Sequence, residues 1–388
     1  MADPRPFHPR AFLAVAWGVN LCINAFYISP APVFPRMIGD LGITKALAGS
    51  LISFYLVSIL AFQLPSGFVM DRADPRKTIA AACLGLLGLS LGMTLVPRYE
   101  ILLVLRILAG IPVAFIFAPS AFLVSRAFER SPGRAVGAFL SAPPAGVAVG
   151  NLIAPLLADA FGWPVVFVAF NVPLLVLVPA FARLAAGLPP RDHEAFGLGD
   201  FLAAFRNREL WKVGLAFACS YAAYIFYASW TQTYLTETGL TALALVGVVS
   251  AAIPAAGILS RPLGGLLAEG PFRADKRRVP ILGFLGLVGV SALAPLALGV
   301  APLLLVAAGF LAQFPFSVYY LFSAQVMPRR FGGTAYAFMN TVSLVGGAIS
   351  PGLAGLLADV TGSFVAAFAM IAVASLAGIL FCVSLRER

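Results

Sequence analysis

Residues 67–77 read Gly-Phe-Val-Met-Asp-Arg-Ala-Asp-Pro-Arg-Lys, a short charged segment between two long apolar stretches. The segment combines a glycine with an acid four residues later. Gly67 permits two helices to approach closely, and Asp71 can cap a helix end or pair with a basic residue nearby. The basic residues of the segment, which suit contact with an anionic leaflet, are Arg72, Arg76 and Lys77. The pattern predicts a tight turn between two membrane-spanning helices.

The composition of the whole chain is that of a membrane protein. Of its 388 residues, 61% are hydrophobic and 11% are charged, whereas soluble domains carry about 25% charged residues. A stretch of about 20 apolar residues can cross a hydrocarbon core of about 30 Å. Twelve such stretches lie at about residues 11–34, 46–70, 78–96, 101–125, 135–158, 163–183, 212–235, 242–267, 279–298, 300–325, 334–357 and 363–383. The sequence predicts an all-α membrane protein with twelve transmembrane helices.

The net charge of +10 is distributed unevenly between the two sides of these spans. With the N-terminus placed inside, 21 of the 26 basic residues fall in inner segments, 3 in outer loops and 2 within spans. Cytoplasmic segments of membrane proteins carry such an excess of Lys and Arg. The charge pattern therefore predicts a multi-pass protein of the cell inner (plasma) membrane with both termini in the cytoplasm. It predicts no nucleic-acid partner.

The second half of the chain repeats the first at an offset of about 200 residues. Leu-Leu-Ala-Asp at 156–159, followed by Gly162, is matched by Leu-Leu-Ala-Asp at 356–359, followed by Gly362. Repeated halves with a cavity between them are a recurrent transporter architecture. The predicted domains are an N-terminal six-helix bundle at 1–185, a cytoplasmic linker at 186–209 and a C-terminal six-helix bundle at 210–388.

The segment at 67–77 resembles the GxxxDRxGRR/K loop of the major facilitator superfamily, with Asp74 in place of the second glycine. Span four carries Arg106 and Gly110, which resemble the buried-arginine RxxxG motif of that superfamily. In span five, Gly150 and Pro155 resemble a degraded antiporter Gly-Pro motif, although small residues four apart also serve helix packing alone. The resemblance covers the whole chain and implies the major facilitator fold, two pseudo-symmetric bundles of six helices. The motif residues expected to serve gating or structure are Gly67, Asp71, Arg72, Arg76, Lys77, Gly110, Gly150 and Pro155.

Span eight contains an arginine followed by a proline, Arg261-Pro262. This pair is similar to the monocarboxylate and oxalate/formate branches of the superfamily, in which that arginine binds the substrate carboxylate. The resemblance is incomplete. Proton-coupled monocarboxylate carriers have an Asp one turn earlier, where this chain has Gly257, and the oxalate carrier has a lysine in span eleven that is missing here.

Ionisable residues within the spans are costly and mark function by default. Arg106 and Arg261 are the two such residues, and all 16 acids fall in loops, tails or the last turn of a span. Buried cations without buried carboxylates suit an anionic substrate. The structural alternatives are that Arg106 ties span four to neighbouring helix ends and that Arg261 snorkels to the interface. Neither histidine is embedded and the four cysteines are scattered, so no metal site and no cofactor are expected.

Polar and aromatic residues at helical spacing supply further candidates for a cavity wall. Each of them is also a candidate for an ordinary hydrogen bond between helices. The predicted substrate-binding residues are Arg261, Arg106, Asn20, Asn24, Tyr27, Tyr224, Tyr227, Gln313, Tyr319 and Asn340.

These features together favour a secondary transporter that moves a small organic anion, a carboxylate, by alternating access. The expected partners are that anion, the lipid bilayer and a coupling proton or counter-anion, and the expected state is a monomer. The alternative is an efflux carrier for hydrophobic drugs or other metabolites, and a third reading is a membrane receptor that reuses the fold. The sequence has no nucleotide-binding loop and no buried acid–base pair, so it predicts no enzyme.

Overall fold

The computed structural model describes residues 8–128, 132–188, 204–239, 243–326 and 332–385. Within these ranges the regular structure is helical. A backbone in lipid has no water to bond, and a helix satisfies its N–H and C=O groups internally. Many large apolar side chains are exposed on the outer surface, including Leu296, Leu303 and Val360, each at least 74% exposed. This surface suits contact with lipid tails.

The helices of the N-terminal half are numbered in chain order. They are α1 (Pro9–Ile28), α2 (Phe34–Leu41), α3 (Lys45–Arg72), α4 (Pro75–Leu95), α5 (Tyr99–Ala114), α6 (Phe117–Ala127), α7 (Pro132–Phe139), α8 (Ala142–Phe161), α9 (Val165–Ala169) and α10 (Leu174–Ala185). Spans one, four, five and six each consist of two consecutive helices.

The C-terminal half continues the numbering. Its helices are α11 (Arg208–Thr238), α12 (Leu243–Glu269), α13 (Arg278–Leu293), α14 (Ala301–Gln313), α15 (Phe316–Val326), α16 (Gly332–Thr361) and α17 (Val365–Val383). Spans seven to nine are α11 to α13, span ten is α14 with α15, and spans eleven and twelve are α16 and α17. The predicted division into bundles at 185 and 210 stays a prediction, because residues 189–203 of the linker lie outside the described ranges.

Eleven helical segments in the described ranges are long and apolar enough to cross a membrane. The ninth predicted span, at 279–298, is shorter in the structure, where α13 has 16 residues and ends at Leu293. Pro295 explains the early end, because proline has no N–H to continue the helical hydrogen bonds. A 16-residue helix is about 24 Å long, slightly less than the hydrocarbon thickness.

The turn at 67–77 is built around Asp74. Helix α3 ends at Arg72, and the side chain of Asp74 accepts a hydrogen bond from the backbone N–H of Arg76 at 2.9 Å, which caps the N-terminus of α4. The acid in place of glycine thus supplies a helix cap, which contributes about 1 kcal/mol. The guanidinium of Arg76 donates to the carbonyl of Leu188 at 3.1 Å and so ties the turn to the end of span six.

The repeat in the sequence is also a repeat in the backbone. Gly162 after α8 and Gly362 after α16 both adopt positive φ, at 83° and 68°. Gly42 after α2 and Gly239 after α11 form a second such pair, at 63° and 62°. Glycine enters this left-handed region without the steric cost that a Cβ would bring. Equivalent helices of the two halves therefore end in the same way.

Glycines allow the helices within each half to approach closely. A Cβ added to Gly110 of α5 would lie 2.6 Å from the carbonyl oxygen of Tyr55 and 2.7 Å from the Cβ of Ser58, both on α3. A Cβ on Gly150 of α8 would lie 2.4 Å from Ile28 of α1. Small residues at such crossings let two backbones pack against each other in a membrane.

Replacing Gly110 by alanine should destabilise the protein by about 1–3 kcal/mol, because backbone atoms of α3 would have to move. Gly289 is the matched control, since no heavy atom lies within 4 Å of a Cβ built there. Gly289→Ala should be neutral or stabilising by up to about 1 kcal/mol, the difference in helix propensity. Melting temperatures of the detergent-purified variants test this, and equal values for the two would contradict the close approach.

Candidate functional site

A cavity of about 150 Å³ lies between the two halves. Each half contributes one wall. The polar residues that line it are Asn24, Tyr27, Tyr55, Gln63, Tyr221, Tyr224, Arg261, Tyr320 and Asn340. The apolar ones are Ile23, Leu56, Ile59, Val113, Phe117, Leu140, Pro143, Val147, Phe217, Phe316 and Leu344. Among the lining residues that the structure describes, Arg261 is the one with a charge at neutral pH.

Arg261 projects from α12 in the wall of the C-terminal half. Its Nη2 donates to Oε1 of Gln313 at 2.7 Å, and its guanidinium lies 4.9 Å from the centre of the Phe316 ring. The hydroxyl of Ser317 donates to the backbone carbonyl of Arg261 at 2.7 Å. The break between α14 and α15 supplies all three contacts. The guanidinium is therefore held by neutral groups at the edge of the cavity.

Arg106 lies elsewhere. It is fully buried, with 0% of the residue exposed, and it does not line the cavity. Its guanidinium donates to the carbonyls of Leu51 at 3.2 Å, Phe26 at 3.2 Å and Tyr27 at 2.5 Å. Two of these carbonyls belong to the last turn of α1, which is not followed by a further helical turn. Among the described residues the Tyr27 carbonyl has Arg106 as its donor, whereas the N–H and the hydroxyl of Ser29 also donate to the Phe26 carbonyl. The rings of Phe26 and Tyr55 cover the cation at 5.0 and 4.6 Å. Arg106 thus ties span four to the end of span one.

Two pairs of tyrosines face each other across the halves. Tyr27 and Tyr55 stack with their ring centres 5.5 Å apart in the N-terminal half, and Tyr221 and Tyr224 lie 5.9 Å apart in the C-terminal half. The hydroxyls of Tyr27 and Tyr55 are buried and have no hydrogen-bond partner among the described residues. The cavity therefore offers aromatic faces as well as a cation.

The structure brings half of the predicted binding residues together. Asn24, Tyr27, Tyr224, Arg261 and Asn340 line the cavity. The others do not: Arg106, Asn20, Tyr227, Gln313 and Tyr319.

Those other side chains bond within the helix bundles. The hydroxyl of Tyr227 bonds Ser291 at 2.7 Å, and that of Tyr319 bonds Ser220 at 2.8 Å. The amide of Asn20 donates to the carbonyl one turn earlier on its own helix, at 3.2 Å. Several of these residues were predicted from their spacing on one helix face. Such a face can contact a neighbouring helix instead of the cavity.

The predicted set lacks several lining residues, of which Tyr55 and Gln63 on α3, Tyr221 on α11 and Tyr320 on α15 are polar. Tyr55 and Gln63 are eight residues apart and share one face of their helix, and Tyr221 lies one turn before Tyr224. Their spacing was a signal that could have found them.

The structure describes the positions of some of the predicted motif residues. Lys77 is exposed, and Pro155 lies inside α8 and is half-buried. Gly110 and Gly150 sit at the helix contacts described above. The side chains of Asp71 and Arg72, together with Gly67, lie outside the described part of the structure, and their predicted roles stay predictions.

The halves meet at the end of the cavity that carries the start of α3 and the end of α16. The carboxylate of Asp359 accepts from the backbone N–H groups of Lys45 and Ala46, at 3.0 and 2.8 Å, so it caps α3 from the other half. The ammonium of Lys45 pairs with Glu237 at 3.0 Å. A Cβ on Gly49 would lie 2.4 Å from a carbonyl oxygen of α16, so the two backbones touch.

Asn151 makes a second connection between the halves. This buried residue of α8 donates to the carbonyls of Ala228 and Ser250, both at 3.1 Å, on α11 and α12. Pro254 has no N–H to offer the Ser250 carbonyl four residues earlier. The asparagine of one half thus binds an acceptor that a proline leaves open in the other half.

Comparison with known proteins identifies transporters that are similar to this chain in sequence. The chain is 23% identical over 385 residues to the hexuronate transporter of Bacillus subtilis (strain 168), covering 92% of this chain and 89% of that protein. It is 24% identical over 388 residues to a probable sulfoacetate transporter of Cupriavidus necator, covering 91% and 86%. It is 26% identical over 157 residues to a quinolone resistance transporter of Acinetobacter baumannii, covering 38% and 36%.

The fold matches solved structures over nearly the whole chain. One is a bacterial homologue of the human lysosomal transporter Spinster, in an inward-facing and occupied conformation. The TM-score is 0.76 with 16% identity, and the match covers 98% of this chain and 96% of the other. The Major Facilitator Superfamily model matches residues 16–351, so the chain belongs to that family. It is therefore a multi-pass membrane transporter and not an enzyme.

Arg106→Gln should lower the melting temperature of the purified protein. The change removes the donor of the buried Tyr27 carbonyl, and a buried group without a partner costs about 1–3 kcal/mol. Arg273→Gln is the control, because Arg273 is exposed in the loop before α13 and should leave the melting temperature unchanged. A variant at 106 that melts like wild type would show that these hydrogen bonds contribute little.

Proposed function

We propose that this transporter carries a small organic anion, a carboxylate, across the cytoplasmic membrane by alternating access. The observation that carries the proposal is the position of Arg261 in the cavity wall between the halves. A guanidinium binds a carboxylate through parallel charge-assisted hydrogen bonds. The described lining residues include no Asp or Glu that would compete for it.

The amino-acid sequence supports the same substrate charge. All 16 acids of the chain fall outside the membrane core, so the buried charge of the spans is positive. An anion supplies the opposite charge that the spans lack. Asn24, Asn340 and Gln63 add hydrogen-bonding groups to the cavity, and the tyrosines add both ring faces and hydroxyls. An anion that carries further polar groups would find hydrogen-bonding partners for those groups as well as a cation for its charge.

The relatives that match nearly the full length of the chain support this substrate class. Both the hexuronate transporter and the probable sulfoacetate transporter are named for organic acids. Their identities of 23% and 24% leave the particular acid open.

The way the halves meet supports the proposal of alternating access. The contacts of Asp359, Lys45 and Asn151 join the halves at one end of the cavity. The positive-inside pattern assigns that end to the outer face and both termini to the cytoplasm. The cavity then opens inward, and breaking the outer contacts while forming inner ones would expose Arg261 to the other side.

Efflux of hydrophobic drugs is the second candidate. The aromatic lining, with Phe117, Phe217 and Phe316 beside the tyrosines, favours it, as does the partial match to a quinolone resistance transporter. Resistance of an expressing strain to a panel of lipophilic drugs would support this candidate. Indifference across the panel would count against it.

Arg261→Gln should reduce the uptake of labelled carboxylates into proteoliposomes by about tenfold or more at low substrate concentration. The change removes a charge-assisted contact of about 1.5–3 kcal/mol, and each 1.4 kcal/mol is tenfold in affinity. Arg273→Gln makes the same chemical change in an exposed loop and should transport like wild type. Undiminished uptake by the Arg261 variant would refute the carboxylate site.

Asp359→Ala should make the cavity more accessible from outside. It removes the cap that binds the start of α3 to the other half and so weakens the closed outer end. The reporter is a cysteine at Leu344 in a variant whose four natural cysteines are replaced by alanine, and the measurement is its rate of labelling by an impermeant thiol reagent added outside cells.

The control for this experiment is Asp159→Ala. Asp159 is the repeat counterpart of Asp359, but it pairs with Arg36 of its own half. Only the change at 359 should raise the labelling rate. Equal rates in wild type and the Asp359 variant would argue against this contact as an outer gate.

A further inference from the structure

Gln313 is the last residue of α14 and is fully buried, with 0% of the residue exposed, although it does not line the cavity. Its Nε2 donates to the carbonyls of Gly309 and Ile253, both at 3.1 Å, and to that of Pro254 at 3.4 Å. Its Oε1 accepts from Nη2 of Arg261 at 2.7 Å. The amide thus connects α12 and α14 to the arginine of the cavity.

The partners of the amide permit one orientation. Backbone carbonyls accept hydrogen bonds and cannot donate, so they bind the NH₂ group of Gln313. A guanidinium donates and cannot accept, so it requires the oxygen. The reversed amide would place oxygen against carbonyls and NH₂ against a cation. The oxygen of Gln313 is therefore fixed toward Arg261.

The face of α12 that carries Arg261 is shaped to receive span ten. Gly257, Arg261 and Gly264 lie on one face, at positions i, i+4 and i+7. A Cβ on Gly257 would lie 2.0 Å from Oε1 of Gln313, and a Cβ on Gly264 would lie 1.9 Å from the carbonyl oxygen of Phe314. The two glycines let the break of span ten approach on both sides of the arginine. No side chain fits at 257 while Gln313 keeps its place.

We propose that Gln313 is a positioning residue for Arg261, and that it aims the guanidinium into the cavity without adding a charge. The inference rests on the function proposed above, because it assigns Arg261 to the substrate anion. A carboxylate at the same place would also bind the guanidinium, but it would compete with the substrate for its positive charge. An amide does not titrate, so Gln313 itself adds no pH dependence to the binding of an anion.

The groups around Gln313 allow a test by pH. Arg261 is the charged side chain that faces the amide. The titratable side chains between residues 213 and 233 of the neighbouring α11 and within α15 are Cys219, Tyr221, Tyr224, Tyr227, Tyr319 and Tyr320. The ends of the packed helices add Arg208, Glu209, Lys212, Tyr234 and Glu237 on α11, Glu269 on α12 and Arg278 on α13. The ordinary pKa values are about 8.5 for the thiol and about 10 for the phenols. A change of charge beside Arg261 below about pH 8 would come from a carboxyl introduced at 313.

Gln313→Glu should convert the site into one controlled by protonation. At about pH 8 the new carboxylate pairs with Arg261 and competes with the substrate. KM for carboxylate uptake should therefore rise about tenfold or more, which corresponds to the free energy of one charge-assisted hydrogen bond. As the pH is lowered through the pKa of the new carboxyl, whose ordinary value is about 4.3, the acid becomes neutral and close in shape to the amide, so KM should return toward the wild-type value. The substrate must be an acid that is ionised throughout this range.

Two further variants separate positioning from a structural role. Gln313→Met keeps most of the side-chain volume but cannot bind the guanidinium, and it should raise KM equally at every pH. Gln232→Glu makes the same change as Gln313→Glu at a glutamine of α11 that does not line the cavity. It should follow the pH profile of wild type. A structural role alone would lower melting temperature or maximal rate without a KM that recovers on acidification.

The outcomes distinguish this inference from the proposed function. If Arg261→Gln impairs uptake but Gln313→Glu keeps a wild-type KM at every pH, the positioning role is refuted and the carboxylate site stands. A wild-type KM in Gln313→Met refutes it too. If Arg261→Gln transports like wild type, the proposed function and this inference fail together.

Discussion

A guanidinium inside a membrane must find partners for its N–H groups within the protein, because lipid offers none. The two embedded arginines meet this constraint in different ways. Arg106 donates to three backbone carbonyls and is enclosed by aromatic rings, so its hydrogen bonds serve to hold helices together. Arg261 lies at the edge of a cavity, where its contacts among the described residues include the amide of Gln313 and the ring of Phe316. The same residue type is a structural tie in one half and the candidate substrate contact in the other.

The same constraint explains how the halves close on each other. Prolines and helix ends leave backbone groups without helical partners, and some of these groups bind across the interface. Asn151 donates to the Ser250 carbonyl that Pro254 leaves open, and Asp359 accepts from the first N–H groups of α3. The proposed alternating access would break these bonds and leave the helices themselves intact.

Close packing at glycines positions the cavity wall. Gly257 and Gly264 bring the broken middle of span ten against α12, and this contact places an amide, a ring and a hydroxyl around Arg261. A larger residue at either position would push span ten away. The shape of the cavity wall thus depends on two glycines that do not line the cavity.

The sequence by itself determined the helical membrane fold, the order of the apolar helices, the repeat and the family, because the lengths of apolar stretches and the spacing of motif residues are properties of the linear chain. It also marked Arg261 through the cost of a charge in the membrane. Only the tertiary structure decided which polar side chains meet. Helical spacing places Tyr227 and Tyr224 on one face of α11, but rotation of the helix against its neighbours turns Tyr227 to Ser291 and leaves Tyr224 in the cavity. That rotation is set by packing over many distant residues, which no local pattern records.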